Sequence, residues 1–160
     1  MTGDLYTYVH NGGGSIIGSI IKLESDNGAD EAVKAVAKDL LLQITASAPQ
    51  YVQQSDVPAS VIEAEKEVQL NLVKQENAES KKPKPDNVLE KIVEGRMRKF
   101  AEEICLLDQP YVKDPNMTVA KFIASVGKNI KVVEFVRFEK GEGIQKKEDD
   151  FAAEVASMVK

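Results

Sequence analysis

Two side chains in this sequence could carry nucleophilic chemistry, because Cys105 is its only thiol and His10 its only imidazole. A cysteine nucleophile needs the histidine within hydrogen-bond reach. His10 follows a run rich in Tyr, Thr and Val, whereas Cys105 lies between Ile104 and Leu106 in an apolar-striped segment. This pattern favours a small buried hydrophobic role for Cys105. An enzyme using the pair remains an alternative, while one Cys and one His are too few for a zinc site. We therefore expect no catalytic residue, no metal and no cofactor.

The glycine run Gly12-Gly13-Gly14 is the other stretch that could bind a ligand. A phosphate-binding loop of the Gly-x-x-x-x-Gly-Lys-Ser/Thr type needs a lysine at a fixed offset and opens a helix. Here no lysine occupies that offset, and the run leads into an isoleucine-rich segment. Asn11 and the glycines instead predict a tight turn between two strands, because both residue types tolerate positive φ.

The composition and net charge of the chain argue against several classes of protein. A net charge of −5 argues against non-specific binding of nucleic acid, and the absence of Trp argues against a base-stacking platform. The apolar runs are far shorter than the ~20 residues of a membrane helix. The start of the sequence lacks the basic and apolar regions of a signal peptide. We therefore expect a cytoplasmic protein that contacts neither membrane nor nucleic acid, and a single cysteine agrees with a reducing compartment.

Strand and helix signals alternate along the chain and predict an α+β fold. Two strands over residues 4–10 and 15–23 are expected to form a β-hairpin, with a third strand over 131–139. Asp30 is predicted to cap the N-terminus of a helix that ends near Ser47. Thr118 is predicted to cap a short helix that ends at Gly127. A last helix is predicted over 149–158. The expected sheet is small, three-stranded and antiparallel, with helices packed on it.

Two apolar stripes in the middle of the sequence predict a projecting antiparallel helical hairpin. The residues of the second stripe recur at helical spacing and are Leu89, Val93, Met97, Phe100, Ile104 and Leu107. Those of the first stripe are Val61, Ala64, Val68 and Leu72. The polar stretch 77–84, with Lys81, Lys82 and Lys84, is interpreted as a solvated tip. Gly95 inside the second helix suggests close approach by another backbone.

These elements divide the chain into three parts. A core subdomain is predicted over 1–57 and 108–140, a coiled-coil hairpin over 58–107, and a C-terminal helical module over 141–160. Composition and spacing alone favour a small binding module with a projecting hairpin over an enzyme.

Seven stretches, in order and spacing, resemble translation elongation factor Ts, the nucleotide-exchange factor of the GTPase elongation factor Tu. They include Tyr8-Val9-His10-Asn11-Gly12-Gly13 and Leu106-Leu107-Asp108-Gln109-Pro110-Tyr111-Val112-Lys113-Asp114. The others lie at 48–52, 56–59, 90–97, 135–144 and 150–155. Each stretch is weak alone, but the ordered set covers nearly the whole chain and is highly specific.

The resemblance implies a protein that binds elongation factor Tu and promotes release of GDP, without covalent chemistry. A partner that prefers the nucleotide-free GTPase must lower the affinity of the GTPase for GDP. GDP lowers the affinity for the partner by the same factor. In the family the histidine after the first strand faces the GTPase, which makes His10, Asn11, Gly12 and Gly13 candidate partner-binding residues. The family's C-terminal helix packs on the GTPase, which adds Phe151, Ala152 and Val155. The hairpin matches the family's coiled-coil module, so a homodimer through the hairpin is a further expectation.

Two departures from the family pattern bear on activity. Full-length members begin with a three-helix module and carry a Thr-Asp-Phe-Val motif that disturbs the magnesium site of the GTPase. The resemblance here covers only the C-terminal half of the core, the hairpin and the tail. At the place of the motif the sequence has Glu24-Ser25-Asp26-Asn27, with no aromatic residue. We therefore expect a fragment of the factor that exchanges nucleotide weakly alone. The alternative is a coiled-coil dimerisation module without exchange activity.

Overall fold

Strands and helices interleave along the chain in the computed structural model, which describes residues 3–26 and 28–142. The elements in order are β1 (Asp4–Gly12), β2 (Ser15–Glu24), α1 (Glu31–Ser47), α2 (Ala59–Ala78), α3 (Asp86–Ile104), β3 (Pro110–Tyr111), β4 (Asp114–Thr118), α4 (Val119–Val126) and β5 (Lys131–Glu139). A 3-10 turn at Gln54–Asp56 precedes α2. The expected α+β class, with a three-stranded antiparallel sheet, is confirmed. The last helix predicted from the sequence lies outside the described residues.

The sheet has the strand order β1-β2-β5, and both pairings are antiparallel. β1 continues two residues past the predicted end at His10, because Asn11 pairs with Ile16 and Gly12 with Ser15. The turn is therefore only Gly13-Gly14, with φ angles of 62° and 86°. Positive φ at both central positions is the geometry that matches the twist of two flanking strands, and glycine adopts it without a steric penalty.

α1 covers one face of this sheet. The Asp30 side chain accepts a hydrogen bond from Val33 N at 2.9 Å and caps the helix, as predicted. The apolar face expected from the sequence is buried, and consists of Val33, Val36, Ala37, Leu40, Leu41 and Ile44. These residues form one core with Ile21 and Leu23 of β2 and Val132 of β5. Each such side chain contributes about 1.5–3 kcal/mol through burial, so this layer is the main source of stability.

A short β-ribbon follows the hairpin, where the sequence predicted only a turn. β3 and β4 pair antiparallel, and Tyr111 stacks on Phe122 with ring centroids 4.1 Å apart. The buried Gln43 of α1 holds the ribbon, because its amide accepts from Val112 N at 2.7 Å and donates to Pro110 O at 3.1 Å. The ribbon is thus fastened to the core by polar contacts that no apolar periodicity would show.

α2 and α3 pack against each other as the predicted hairpin. The α3 face is the predicted one, with Leu89, Val93 and Ile104 buried. The predicted α2 face is correct only at its start: Val61 packs on the cluster that contains Ile104, whereas Val68 and Leu72 are 51% and 43% exposed. The other residues of α2 that contact the α3 side are Ile62, Gln69, Leu70, Val73 and Glu76. α2 has apolar residues on two sides, and the side that carries the buried Val73 faces α3. Contacts of Arg96 with Gln69 and Glu76 also join the two helices.

The base of the hairpin is fastened to the core through its backbone. Ile104 O accepts from Gln50 N at 2.8 Å and from Tyr51 N at 3.0 Å, and Leu106 N donates to Tyr51 O at 2.8 Å. Cys105, which is fully buried, packs there with Val57. α3 ends at Ile104, so Leu107 lies beyond the helix rather than within its stripe.

Candidate partner-binding surface

The end of the β1–β2 hairpin presents the first group of predicted site residues. Because side chains alternate along a strand, Tyr8, His10 and Gly12 share one face of β1. The Tyr8 hydroxyl lies 3.3 Å from His10 Nδ1, and the two ring centroids are 6.3 Å apart. A Cβ built on Gly12 would lie 3.1 Å from His10 Nε2. The imidazole is therefore held between the phenol of Tyr8 and the bare backbone of Gly12.

His10, Asn11, Gly12 and Gly13 are all exposed, and the structure brings them together at one end of the sheet. Tyr8, by contrast, packs on the core cluster that lies under α1. The imidazole is thus fixed from the core side while its outer edge faces solvent. A Tyr8 hydroxyl that donates to Nδ1 leaves Nε2 to carry the proton, which makes Nε2 a donor toward a partner.

The outer face of the sheet adds an apolar surface that the sequence analysis missed. Leu5 and Val9 on β1 are 67% and 66% exposed, and Phe138 on β5 is 57% exposed. Val9 pairs with Gly18, which pairs with Phe138, so the three residues form one row across the sheet. The signal was available: β1 alternates Leu5 and Val9 with Tyr6 and Tyr8, and neither face of such a strand is polar. A large uncovered apolar face commonly marks an interaction surface.

The second group of predicted site residues, Phe151, Ala152 and Val155, lies outside the described residues. The structure therefore gives no position for them relative to His10.

Cys105 and His10 share neither a cluster nor a hydrogen bond. Cys105 is buried with Ile104 and Val57, and desolvation by burial, with the nearby carboxylates of Asp108 and Asp56, raises the pKa of its thiol. A raised pKa keeps the thiol protonated and unreactive. Within residues 3–26 and 28–142, no group of His, Cys, Asp and Glu side chains is arranged to hold a metal ion. Across the same part of the chain, every helix is too short or too polar to cross a bilayer.

The segment after β2 is bound within the protein's own fold. Ser25 Oγ donates to Gly28 O at 2.8 Å, and Asp26 N donates to Lys128 O at 3.3 Å. The amide of Asn129 also donates to the carboxylate of Asp26. This acidic side chain is therefore engaged with the loop before β5.

The sequence of this chain is similar to those of a known protein family. A family model described as "Elongation factor TS" matches residues 2–142. The elongation factor Ts of Carboxydothermus hydrogenoformans is 45% identical, over 99% of this chain and 72% of the relative. That of Finegoldia magna is 44% identical, over 98% of this chain and 73% of the relative. That of Aeromonas hydrophila is 47% identical, over 98% of this chain but only 47% of the relative.

The chain belongs to the elongation factor Ts family. The expected resemblance is thereby confirmed, and the chain is a member of a family of translation elongation factors. The match with the elongation factor Ts model includes the β1–β2 end, the helical hairpin and β5. The exposed His10 and the projecting hairpin thus both lie within the part that defines the family.

Proposed function

We propose that this chain binds the GTPase elongation factor Tu in the cytoplasm and promotes release of its GDP. It acts by binding alone, with no cofactor and no bond made or broken. The chain prefers the nucleotide-free GTPase, so it lowers the affinity of the GTPase for GDP. GDP lowers the affinity of the GTPase for this chain by the same factor. His10, Asn11, Gly12 and Gly13 contact the GTPase, and Phe151, Ala152 and Val155 form a second contact.

One observation carries the assignment of the contact surface. His10 is exposed, yet its Nδ1 lies 3.3 Å from the Tyr8 hydroxyl and its ring lies beside the backbone of Gly12, so neighbours restrict the ring without burying it. Immobilising a mobile side chain on binding costs about 0.5–1.5 kcal/mol of conformational free energy. A side chain that is already restricted before binding loses less. Such a residue is suited to anchor a partner.

Exchange by this chain is proposed to be weak. The sequence contains no Thr-Asp-Phe-Val motif. At the corresponding place, Asp26 is bonded to Asn129 and Lys128 of its own chain. No aromatic side chain is therefore available there to disturb a magnesium site. Affinity for the GTPase and acceleration of GDP release are separate properties. The chain is proposed to bind the GTPase but to accelerate release of its GDP only weakly.

Self-association through the helical hairpin is a second candidate function. The observation that favours it is the exposure of apolar side chains on the hairpin, with Val68 at 51% and Leu72 at 43%. A helix pair usually covers such residues against a further helix.

The contact surface is tested by replacing His10 with Ala and titrating nucleotide-free elongation factor Tu by calorimetry. We expect binding to weaken by about 1–2 kcal/mol, or about 5- to 30-fold, because an anchor at the centre of an interface is lost. Lys121→Ala on the exposed side of α4 is the matched control and should bind as the unmodified chain does. Equal affinities for all three proteins would remove His10 from the interface. No binding by the unmodified chain would refute the proposed function itself.

A further inference from the structure

The surface that carries His10 continues across the whole sheet. His10 of β1 pairs with Ile17 of β2, and Ile17 pairs with Glu139 of β5, so the three residues form one row across all three strands. Adjacent strands lie about 4.8 Å apart, so the row spans about 10 Å between the backbones of His10 and Glu139. A helix is about 10–12 Å across with its side chains. One element of a partner is therefore wide enough to contact both ends of this row.

The row lies on the α1 side of the sheet, just beyond the end of that helix. Ser19, two residues after Ile17 and on the same face of β2, contacts Thr45 of α1, with 3.0 Å between their hydroxyl oxygens. α1 ends at Ser47, about 3 Å further along its axis, whereas the row lies about 7 Å from Ser19 along the strand. Ile17 is accordingly only half-buried, and His10 is exposed. Among the described elements, α1 therefore covers the neighbouring row and not this one.

Glu139 is the charged end of the row, and a neighbour on its own strand holds it in place. The Arg137 guanidinium donates to Glu139 Oε2 at 3.1 Å. The Arg137 side chain is 19% exposed and that of Glu139 is 39% exposed, so the pair presents its carboxylate rather than its guanidinium to solvent. No group within residues 3–26 and 28–142 donates to the second oxygen, Oε1, although a carboxylate accepts several hydrogen bonds. Glu139 thus offers an oriented acceptor at the surface.

The surroundings of this carboxylate are negative overall. Glu142 Oε2 accepts from Glu139 N at 3.1 Å, which brings a second carboxylate to the same end of β5. Arg137 and Glu142 line a cleft of about 500 Å³, together with Ala48 and Pro49 at the end of α1. Two carboxylates therefore accompany one guanidinium, and the C-terminal end of α1 adds the partial negative charge of its carbonyls. The cleft has room for a long side chain with an apolar stem and a positive head.

We propose that Glu139 is a second anchor on the surface that binds elongation factor Tu, and that it forms an ion pair with a lysine or arginine of the GTPase. The GTPase element that lies along the row then places a hydrogen-bond acceptor at His10, an apolar side chain over Ile17 and its cation at Glu139. Continuity with His10 assigns this site to the same partner, and the net negative charge assigns a cation to it. The inference rests on the proposed function and adds β5 to the contact surface at the β1–β2 turn.

The test is a calorimetric titration of nucleotide-free elongation factor Tu with the unmodified chain and with Glu139→Gln. Glutamine keeps the shape of the side chain and an oxygen that accepts from Arg137, so it removes little besides the charge. We expect binding to weaken about tenfold at an ionic strength of about 0.01 M and clearly less at about 1 M, because the Debye length falls from about 30 Å to about 3 Å. The dependence on ionic strength separates an ion pair from a structural effect of the substitution.

Glu90→Gln is the matched control, because it removes the same charge from an exposed position on α3. Glu90 lies about 20 Å along the helix from the base of the hairpin at Ile104. This variant should bind as the unmodified chain does at both ionic strengths. Circular dichroism should show the same helix and strand content for both variants.

Equal affinities of the unmodified chain and Glu139→Gln would overturn the proposal. So would tighter binding by Glu139→Gln, a loss that is the same at both ionic strengths, or an equal loss in Glu90→Gln. If His10→Ala weakens binding while Glu139→Gln does not, this inference fails and the proposed function stands. An unmodified chain that does not bind the GTPase refutes both.

Discussion

His10 shows how a short strand can present a fixed polar group to a partner. Its ring lies beside Tyr8, whose body packs on the core, and above Gly12, which has no side chain to displace it. The resemblance to the family directed attention to this residue. The position of the ring between these two residues is visible only in the structure, because it depends on the i, i+2 alternation continuing through Asn11 rather than breaking into a turn there.

Gly12 is expected to affect the affinity for elongation factor Tu indirectly, through the position of the His10 ring. Gly12→Ala places a Cβ 3.1 Å from His10 Nε2, so the imidazole must shift by a few tenths of an ångström to accommodate it. We expect the substitution to weaken binding of elongation factor Tu by about 0.5–1.5 kcal/mol through loss of the fixed ring position. Affinity measured by calorimetry checks this.

A double-mutant cycle separates this effect from direct contact. In the His10→Ala background the same Gly12→Ala change should alter the affinity little, since no imidazole remains to be moved. Additive losses in the cycle would mean that Gly12 contacts the GTPase through its own backbone.

Asp30 should make stability depend on pH in the acid range. A hydrogen bond from the Lys128 side chain, followed by one from the Val33 backbone, lowers the pKa of Asp30 below its ordinary value of 3.8. The unfolded chain therefore takes up this proton more readily than the folded chain. The stabilisation is fully present above the ordinary value and is lost as pH falls through the lower folded pKa.

Urea denaturation of Asp30→Asn, which keeps a good cap without the charge, measures this contribution. We expect the unmodified chain to be the more stable at neutral pH, and the difference to shrink as the pH falls below the ordinary value of 3.8. Lys128→Met should reduce the difference at neutral pH, because the ammonium group is the first cause of the shift. A difference that is constant with pH would exclude a role for the charge.

At the scale of elements, α3 was predictable and α2 was not. α3 has one apolar side, so spacing alone identified Leu89, Val93 and Ile104 as buried. α2 has two apolar sides. The side with Val68 and Leu72 has the more regular spacing, and yet it is exposed. The packed side is the one that buries Val73 with Leu89 and Val93 of the other helix, and these contacts join residues far apart in sequence. The β3–β4 ribbon was missed for a similar reason, because Gln43 rather than any alternation holds it.

Gly95 lies within α3 without an internal reason to be glycine. The sequence suggested close approach by another backbone, but a Cβ built there meets no atom within 4 Å. The close approach expected at this position is therefore wrong for the described part of the chain. We expect Gly95→Ala to raise the free energy of unfolding by about 1 kcal/mol, because alanine reduces the entropy of the unfolded chain.

Urea denaturation checks this, with Gly127→Ala as the contrasting variant. Gly127 ends α4 with a φ of 76°, where a side chain is strained, so alanine there should destabilise the protein. A loss of stability on replacing Gly95 would show that its environment is more crowded than the structure indicates.

At the scale of the whole molecule, binding and exchange should separate. We expect this chain to accelerate release of a fluorescent GDP analogue from elongation factor Tu less than the relative from Carboxydothermus hydrogenoformans does at equal concentration. The physical reason is that Asp26 is bonded to the loop before β5 and no aromatic residue adjoins it in the sequence. Stopped-flow fluorescence measures the rate, and equal acceleration by both proteins would refute the expectation.

The sequence was sufficient for the fold class, for the three-stranded sheet and for the pairing of the two long helices. Local signals such as the capping Asp30 and the paired glycines after Gly12 are carried by neighbouring residues, and the structure confirms both. The apolar outer face of the sheet was not foreseen. Whether Val9 and Phe138 are covered depends on which elements pack on each side, and strand alternation alone does not determine it.

The backbone bonds at the base of the hairpin have a consequence for how the protein opens. Leu106, just past the end of α3, is fully buried in the main core, and its amide donates to Tyr51 O. The tip at Lys81 and Lys82 is exposed on all sides of its turn. Fraying should therefore begin at the tip and stop short of the base. In hydrogen exchange, tip amides should exchange through local opening, whereas those of Leu106 and Leu107 should exchange only when the entire chain unfolds.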